Sequence, residues 1–158
     1  MSLATSRFTQ PEWHLVRDAP LLAGLAVSAM DYGLVSFARE MTAVTRTLMA
    51  ARDQYERDTL IASVVQDAAV PEERFSQEML TPEDILVRLG CAGAIVDQKA
   101  PEHAAAYKQL LVDVAESAAR AADAFASPRE VRGSDAKQHY LEDLRALLGH
   151  EPGDQRNG

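Results

Sequence analysis

Residues 34–48 read LVSFAREMTAVTRTL. Within this stretch, apolar side chains recur at intervals of three or four residues: Leu34, Phe37, Met41, Val44 and Leu48. This spacing places them along one face of an α-helix, whereas a half-buried strand would alternate apolar and polar residues. The stretch therefore predicts an amphipathic helix that packs against a core. No part of the sequence shows the alternating, β-branched pattern of a strand.

Helix-start patterns recur along the chain. Residues 9–12 (TQPE) and 81–84 (TPED) each combine a capping hydroxyl, a proline in the first turn and an acid three residues after the cap. Residues 100–102 (APE) mark another start, Ser134 is expected to cap the last helix, and Gly149 is expected to end it. We predict an all-α fold, a compact bundle of about five to seven helices.

Two helix boundaries stay open at this stage. Pro20 interrupts an apolar helical pattern and disfavours helix in the residue before it, so we expect a kink or a restart there, with Asp18 as a possible cap. The apolar stripe of residues 34–69 lapses around residues 51–54. That region is therefore either one long bent helix or two helices.

Glycines in a predicted helix indicate close packing. Gly90 and Gly93 each cost about 1 kcal/mol relative to alanine inside a helix, so a tight contact with another helix is the expected compensation. Cys91 lies between Gly90 and Ala92, on or beside the predicted buried face, with no histidine at helical spacing. We expect a buried structural thiol rather than a nucleophile.

The size and charge of the chain limit its class and its partners. With 158 residues, one core is expected: a single helical domain over residues 1–149 and a polar, disordered tail over 150–158. The net charge is −8, and no Lys/Arg cluster offers a stripe for phosphates, so no nucleic-acid partner is expected. The longest apolar run, residues 19–30, falls short of the roughly 20 residues that a membrane span needs. One cysteine and no visible secretory signal predict a cytoplasmic protein.

The histidines offer one candidate metal face. Asp135, His139 and Glu142 or Asp143 are spaced to share one side of the last helix, where an imidazole and carboxylates could hold a metal ion. That side opposes the apolar stripe, so a solvated polar surface is the favoured interpretation. The remaining histidines are expected at the helix surface or in the tail: His14, His103 and His150.

A faint internal repeat is the more informative pattern. Residues 26–33 (AVSAMDYG) form a small-residue helix that ends in an acid and precedes a helix carrying Glu40. Residues 118–125 (AARAADAF) form a second such helix, with Glu130 and Asp135 before or at the next helix. In both units the turn acid and the following acid could converge as hard oxygen ligands for Ca²⁺ or Mg²⁺. The repeat accordingly predicts a bundle of two pseudo-repeated halves.

On these residues, the chain resembles the helical tellurite-resistance (TerB-like) proteins over roughly residues 20–50 and 105–149. It is also similar to a group of small uncharacterised bacterial helical proteins, which implies no activity. In the TerB-like group the acidic turns are implicated in divalent-metal binding. The resemblance implies these metal ligands here: Asp31, Glu40, Asp123 and Glu130.

Two functions follow as expectations. The sequence contains no catalytic constellation and no Glu-x-x-His pair of the kind that di-metal bundles use, so we expect a non-enzymatic helical interaction or oligomerisation module without a cofactor. Its expected partner is a protein, the same chain in a homo-oligomer such as a homodimer. The alternative is a TerB-like, divalent-metal-responsive stress protein that binds a divalent cation.

Overall fold

The fold consists of packed α-helices. A computed structural model of the chain describes residues 5–28, 34–54, 59–68, 81–123 and 131–149. After a short 3-10 turn (Thr5–Arg7) these residues form six α-helices: α1 (Gln10–Ser28), α2 (Leu34–Gln54), α3 (Leu60–Ala68), α4 (Pro82–Lys99), α5 (Pro101–Asp123) and α6 (Val131–Leu147). The predicted all-α bundle is confirmed. The predicted tail, residues 150–158, lies outside the described residues.

Helices α1 and α5 form the centre of the bundle. α5 packs against each of the other five helices, and α1 packs against α2, α3, α4 and α5. The decisive stripe of α2 faces this centre, because Val44 and Leu48 are buried and Met41 is partly buried. The side chains of Leu34 and Phe37 lie outside the described residues. Over the described ranges, no helix has the length and apolar character that crossing a membrane requires.

Helix α1 continues through its proline. It runs from Gln10 to Ser28 with Pro20 inside it, so, of the two expected alternatives, a kink or a restart, the restart with Asp18 as a cap is wrong. Pro20 has no N–H to donate to the carbonyl oxygen of Val16, four residues earlier. That oxygen instead accepts a 2.7 Å hydrogen bond from the buried hydroxyl of Tyr107 in α5. A tertiary partner therefore supplies the hydrogen bond that the proline removes from the helix.

The start of α1 is fixed by its own side chains, as its sequence predicts. The Thr9 N–H donates to Oε2 of Glu12 at 2.8 Å, and the Glu12 N–H donates to Oγ1 of Thr9 at 3.4 Å. The rings of Phe8 and Trp13 pack with their centroids 5.9 Å apart. These contacts form a capping box with a hydrophobic staple across the first turn. The Trp13 indole N–H also donates to Oδ2 of Asp67 in α3, at 3.1 Å.

The region that the sequence left open forms two helices. α2 ends at Gln54 and α3 begins at Leu60. Thr59 caps α3, because its Oγ1 accepts from the Ala62 N–H at 3.2 Å and its carbonyl accepts from the Ser63 N–H at 3.2 Å. A capped start of its own makes α3 a separate helix.

Helix α6 begins earlier than predicted, and part of its apolar stripe is exposed. It starts at Val131, so Ser134 lies inside the helix and is not its cap. A capping hydroxyl contributes only about 1 kcal/mol and does not by itself fix the residue at which a helix begins. Gly149 has φ +77°, which confirms the predicted left-handed stop. Within the apolar stripe of this helix, which the sequence predicts to consist of Ala136, Tyr140, Leu144, Leu147 and Leu148, the residues Tyr140, Leu144 and Leu148 are buried, whereas Ala136 and Leu147 are exposed. Leu141 is buried as well.

The glycines lie at close helix contacts, as their sequence context predicts. A Cβ atom at Gly90 would lie 3.0 Å from Cδ2 of Leu147, and one at Gly93 would lie 3.1 Å from Cδ2 of Leu148. Both contacts bring the end of α6 against α4. In α1, a Cβ atom at Gly24 would overlap Cγ2 of Val44 from α2. A methyl group at Gly90 or Gly93 would require these leucine side chains to shift by a few tenths of an ångström, whereas at Gly24 it would require Val44 to move further.

Candidate functional site

The acids of the predicted cation site fall largely outside the described residues. Asp31 and Glu130 belong to segments that the structure does not describe, and Glu40 and Asp123 belong to α2 and α5 but their side chains are not described. Among the residues that are described, no three His, Cys, Asp or Glu side chains are grouped so that they could hold a metal ion. The four-acid site therefore stays a prediction.

The direction of the helices nevertheless bears on that prediction. α1 and α5 run parallel, because Tyr107 contacts Val16 near the start of both helices and Gly24 approaches Val114 further along. Only residues 29–33 separate the end of α1 from the start of α2, so the start of α2 lies near the end of α1. α1 and α5 therefore end, and α2 begins, at the same end of the bundle. Asp31, Asp123 and Glu130 lie at or next to these helix ends and the start of α6 in sequence, whereas Glu40 lies six residues after the start of α2.

The candidate histidine face is a solvated surface, as the favoured interpretation had it. Nδ1 of His139 lies 3.8 Å from Oε2 of Glu142, and both side chains are largely exposed. Asp135 and Asp143 are exposed as well. His103 is partly exposed beside Glu102, and His14 is exposed. Exposed polar contacts of this kind contribute little to stability, and among the described residues this face does not group three side chains that could hold a metal ion.

The expectation for Cys91 is wrong, because its thiol is exposed. α4 buries Ile85, Leu89, Ala92, Gly93 and Val96. Cys91 lies between Leu89 and Ala92 in the sequence, but its side chain is on the opposite side of the helix from these buried residues. Periodicity alone could not decide this, because both sides of α4 carry uncharged side chains.

Cys91 is the centre of an apolar surface on α4. Between Asp84 and Asp97 the exposed positions of this helix are Val87, Cys91 and Ala94, which follow one another at helical spacing. Val87 is 66% exposed.

Leu147 of α6 extends this surface. Its side chain packs on Gly90, which lies one turn from both Val87 and Ala94, and it remains 51% exposed. We call this surface, made of Val87, Cys91, Ala94 and Leu147, the α4 patch. This patch was not predicted, although residues 87, 91 and 94 are uncharged and follow one another at helical spacing opposite the buried stripe.

Charges border the α4 patch at both ends of the helix. At the N-terminal end, Glu83 and Asp84 are exposed, and hydrogen bonds from the backbone and side chain of Thr81 lower the pKa of Asp84 and keep it ionised. At the C-terminal end, Asp97 pairs with Nζ of Lys108 at 2.6 Å. Arg88, partly exposed one turn after Asp84, also lowers the pKa of that carboxyl, so each end of the patch has an acid beside a basic side chain.

Lys99, the last residue of α4, connects this helix to the start of α1. Its Nζ lies 2.6 Å from Oε2 of Glu12 at the start of α1. The guanidinium of Arg7 donates to the Lys99 carbonyl and pairs with Glu102 at the start of α5. These contacts tie the first turn of α1 to the junction of α4 and α5 and lie on the side of α4 away from the α4 patch.

Comparison with known proteins adds no family to this description. No protein-family model, no curated protein and no solved structure matches the chain. The resemblance to TerB-like proteins therefore stays a prediction that depends on the acidic turns alone.

Proposed function

We propose that this protein is a helical interaction module and that the α4 patch is the surface that contacts its protein partner. The observation that carries the proposal is the exposure of Val87 and Leu147 beside Cys91 and Ala94, on a stretch of helix whose exposed positions carry no charge. Exposed apolar residues scattered singly are ordinary, whereas contiguous ones mark interaction surfaces.

The side chains of the α4 patch have the sizes and surroundings that are typical of a protein–protein interface. Its small residues, Cys91 and Ala94, let a partner backbone approach closely, and its larger ones, Val87 and Leu147, offer apolar area worth about 25 cal/mol per Å² when it is removed from water. The surrounding charges form a polar rim, which is the usual arrangement around an interface core. The packing of α6 on Gly90 and Gly93 holds both parts of the patch in one rigid unit.

The native size of the protein in an extract of the cells that produce it tests this proposal. The wild-type protein should elute from a sizing column above the 17.2 kDa of the single chain, because the α4 patch binds a partner. Val87→Glu places a charge in the patch and should elute as the single chain. Elution of both proteins as single chains would refute the proposal.

A matched variant controls for surface charge in general. Met49 of α2 is 59% exposed and lies outside the patch. Met49→Glu therefore replaces an equally exposed apolar side chain by the same charge on a different helix. It should elute like the wild-type protein. If it also loses the complex, the effect does not belong to the α4 patch.

A divalent-cation-responsive protein is the second candidate, and the helix directions favour it. The helix ends next to Asp31 and Asp123 share one end of the bundle, and Glu40 lies six residues into the helix that begins there. Ionised carboxylates brought together repel one another, and a bound cation would relieve that repulsion. Saturating Ca²⁺ or Mg²⁺ should then raise the melting temperature by several degrees.

The acid variants decide whether such a rise comes from the predicted site. Asp31→Asn together with Asp123→Asn should abolish it, whereas Asp135→Asn on the exposed face of α6 should leave it unchanged. A melting temperature that does not respond to either cation refutes the second candidate.

A further inference from the structure

Lys137 is a lysine enclosed by the bundle. It lies on the core side of α6, one turn before the buried Tyr140, and only 4% of it is exposed. Lysine is almost never buried to this extent unless its ammonium group has a polar or charged partner, and Lys137 takes part in a polar interaction. The fold therefore holds a positive charge inside it.

The contacts of α6 place Lys137 at the end of the bundle where α1 and α5 end. Arg145 pairs with Glu116 of α5, and only residues 124–130 separate the end of α5 from the start of α6, so α6 runs antiparallel to α5. Lys137 lies eight residues before Arg145, and Asp123, the last residue of α5, lies seven residues after Glu116. Lys137 is therefore level with the last turn of α5. Its side chain leans towards that end of the bundle, because helical side chains point towards the N-terminus of their own helix.

Two helix ends with negative partial charge lie beside Lys137. The hydroxyl of Tyr140 donates to the Ala23 carbonyl of α1 at 3.4 Å, which puts Lys137 beside the last turn of α1 as well, because α1 and α5 are parallel. The last four carbonyl groups of a helix have no donor within it, and the helix dipole makes this end negative. Both ends also bury small side chains, Ala26 in α1 and Ala119 in α5, which leave room for the lysine stem. Such a place favours an ammonium group.

We infer that Lys137 supplies the positive charge at this end of the bundle, where its ammonium group neutralises the carbonyl ends of α1 and α5 and the acids next to them in sequence. The ammonium group then occupies the place that the second candidate function gives to a divalent cation. This inference goes beyond the interaction module and does not depend on the α4 patch. It opposes the second candidate, because Ca²⁺ or Mg²⁺ beside a buried ammonium group would be repelled.

The wild-type protein provides the first test. Its melting temperature should not rise when Ca²⁺ or Mg²⁺ is added, because the position of the cation is already filled. A rise of several degrees that Asp31→Asn together with Asp123→Asn abolishes would overturn the inference and support the second candidate.

Lys137→Ala should make the protein sensitive to an added cation. The variant lacks the ammonium group and contains a cavity, so it should melt at a lower temperature than the wild-type protein. Propylammonium ion has the shape and charge of the missing part of the side chain, and it should raise that melting temperature by binding to the folded state. Propanol fills the same space without the charge and should restore much less. Equal rescue by propanol would overturn the inference, because the stem rather than the charge would then stabilise the fold.

Two further variants separate the charge of Lys137 from its packing and from lysines in general. Lys137→Met keeps the apolar stem without the charge, and it should also melt below the wild-type protein. Lys108→Ala removes a lysine that pairs with Asp97 nearer the start of α5, and propylammonium should not raise its melting temperature. The inference is overturned if Lys137→Met is as stable as the wild-type protein, if propylammonium leaves Lys137→Ala unchanged, or if it stabilises Lys108→Ala equally. The elution of the protein on the sizing column, which tests the α4 patch, is independent of these outcomes.

Discussion

The hydrogen bond from Tyr107 to the Val16 carbonyl explains how α1 continues through Pro20, and removing it tests this explanation. Tyr107→Phe removes the hydroxyl that donates at 2.7 Å to the Val16 carbonyl, which Pro20 leaves without a helical donor. Burial, reinforced by the charge of Asp18, raises the pKa of Tyr107 well above its usual range, so the hydroxyl remains a donor at any ordinary pH. The variant strands a buried carbonyl, which costs about 1–3 kcal/mol.

Tyr140→Phe is the matched control for this change. The Tyr140 hydroxyl donates to the Ala23 carbonyl at 3.4 Å, a longer bond to a carbonyl whose helical donor, the Val27 N–H, lies inside α1. Its loss should cost no more than about 0.5–1 kcal/mol. Denaturant unfolding, followed by the fluorescence of Trp13 and by circular dichroism, measures both free energies.

A double-mutant cycle with Pro20→Ala isolates the cause. The alanine introduced at position 20 restores an N–H that can donate to the Val16 carbonyl, so Tyr107→Phe should cost about 1 kcal/mol less in that background than in the wild-type protein. Equal costs in the two backgrounds would refute the explanation, as would a Tyr140→Phe variant that loses as much stability as Tyr107→Phe.

Two further predictions concern the core and the ion pair between Glu12 and Lys99 at the start of α1. Val44→Ala should lower the free energy of unfolding by about 2 kcal/mol, because the fully buried side chain fills the space over Gly24, whereas Val87→Ala should change it by less than about 0.5 kcal/mol in the same denaturant titration; similar losses would contradict the assignment of the core. The hydrogen bond from Lys99 and the Thr9 cap lower the pKa of Glu12, so its contribution to stability is present above the ordinary carboxyl range and is lost as the pH falls through the lowered value. Glu12→Gln should therefore have a lower melting temperature at neutral pH and a shallower decline on acidification than the wild-type protein, and parallel declines would contradict this role.

The local part of the fold could be predicted from the sequence. The caps at Thr9 and Thr81 depend on residues three positions apart, and the stripe through Val44 and Leu48 depends on spacing within one helix. The continuity of α1 could not be predicted, because the donor that replaces the Pro20 N–H belongs to Tyr107, 91 positions away from the acceptor in sequence. Local preference is a weak guide wherever a distant side chain supplies the missing hydrogen bond.

The candidate site shows the same limit. Both sides of α4 carry uncharged residues, so spacing identified a helix without saying that Leu89 faces the core and Cys91 faces outward. That assignment depends on how α1, α5 and α6 surround α4. The close contacts at Gly90 and Gly93 could be predicted, because a helix tolerates glycine where another helix comes close, but their partners in α6 could not.

The accessibility of Cys91 inside the producing cell tests the central claim most directly. A short pulse of a membrane-permeant maleimide, followed by mass spectrometry, measures the fraction of Cys91 that is alkylated. If a protein partner covers the α4 patch, the wild-type protein should be labelled several-fold more slowly than Val87→Glu, and Met49→Glu should be protected like the wild-type protein. Equal labelling of Cys91 in all three proteins would contradict the claim.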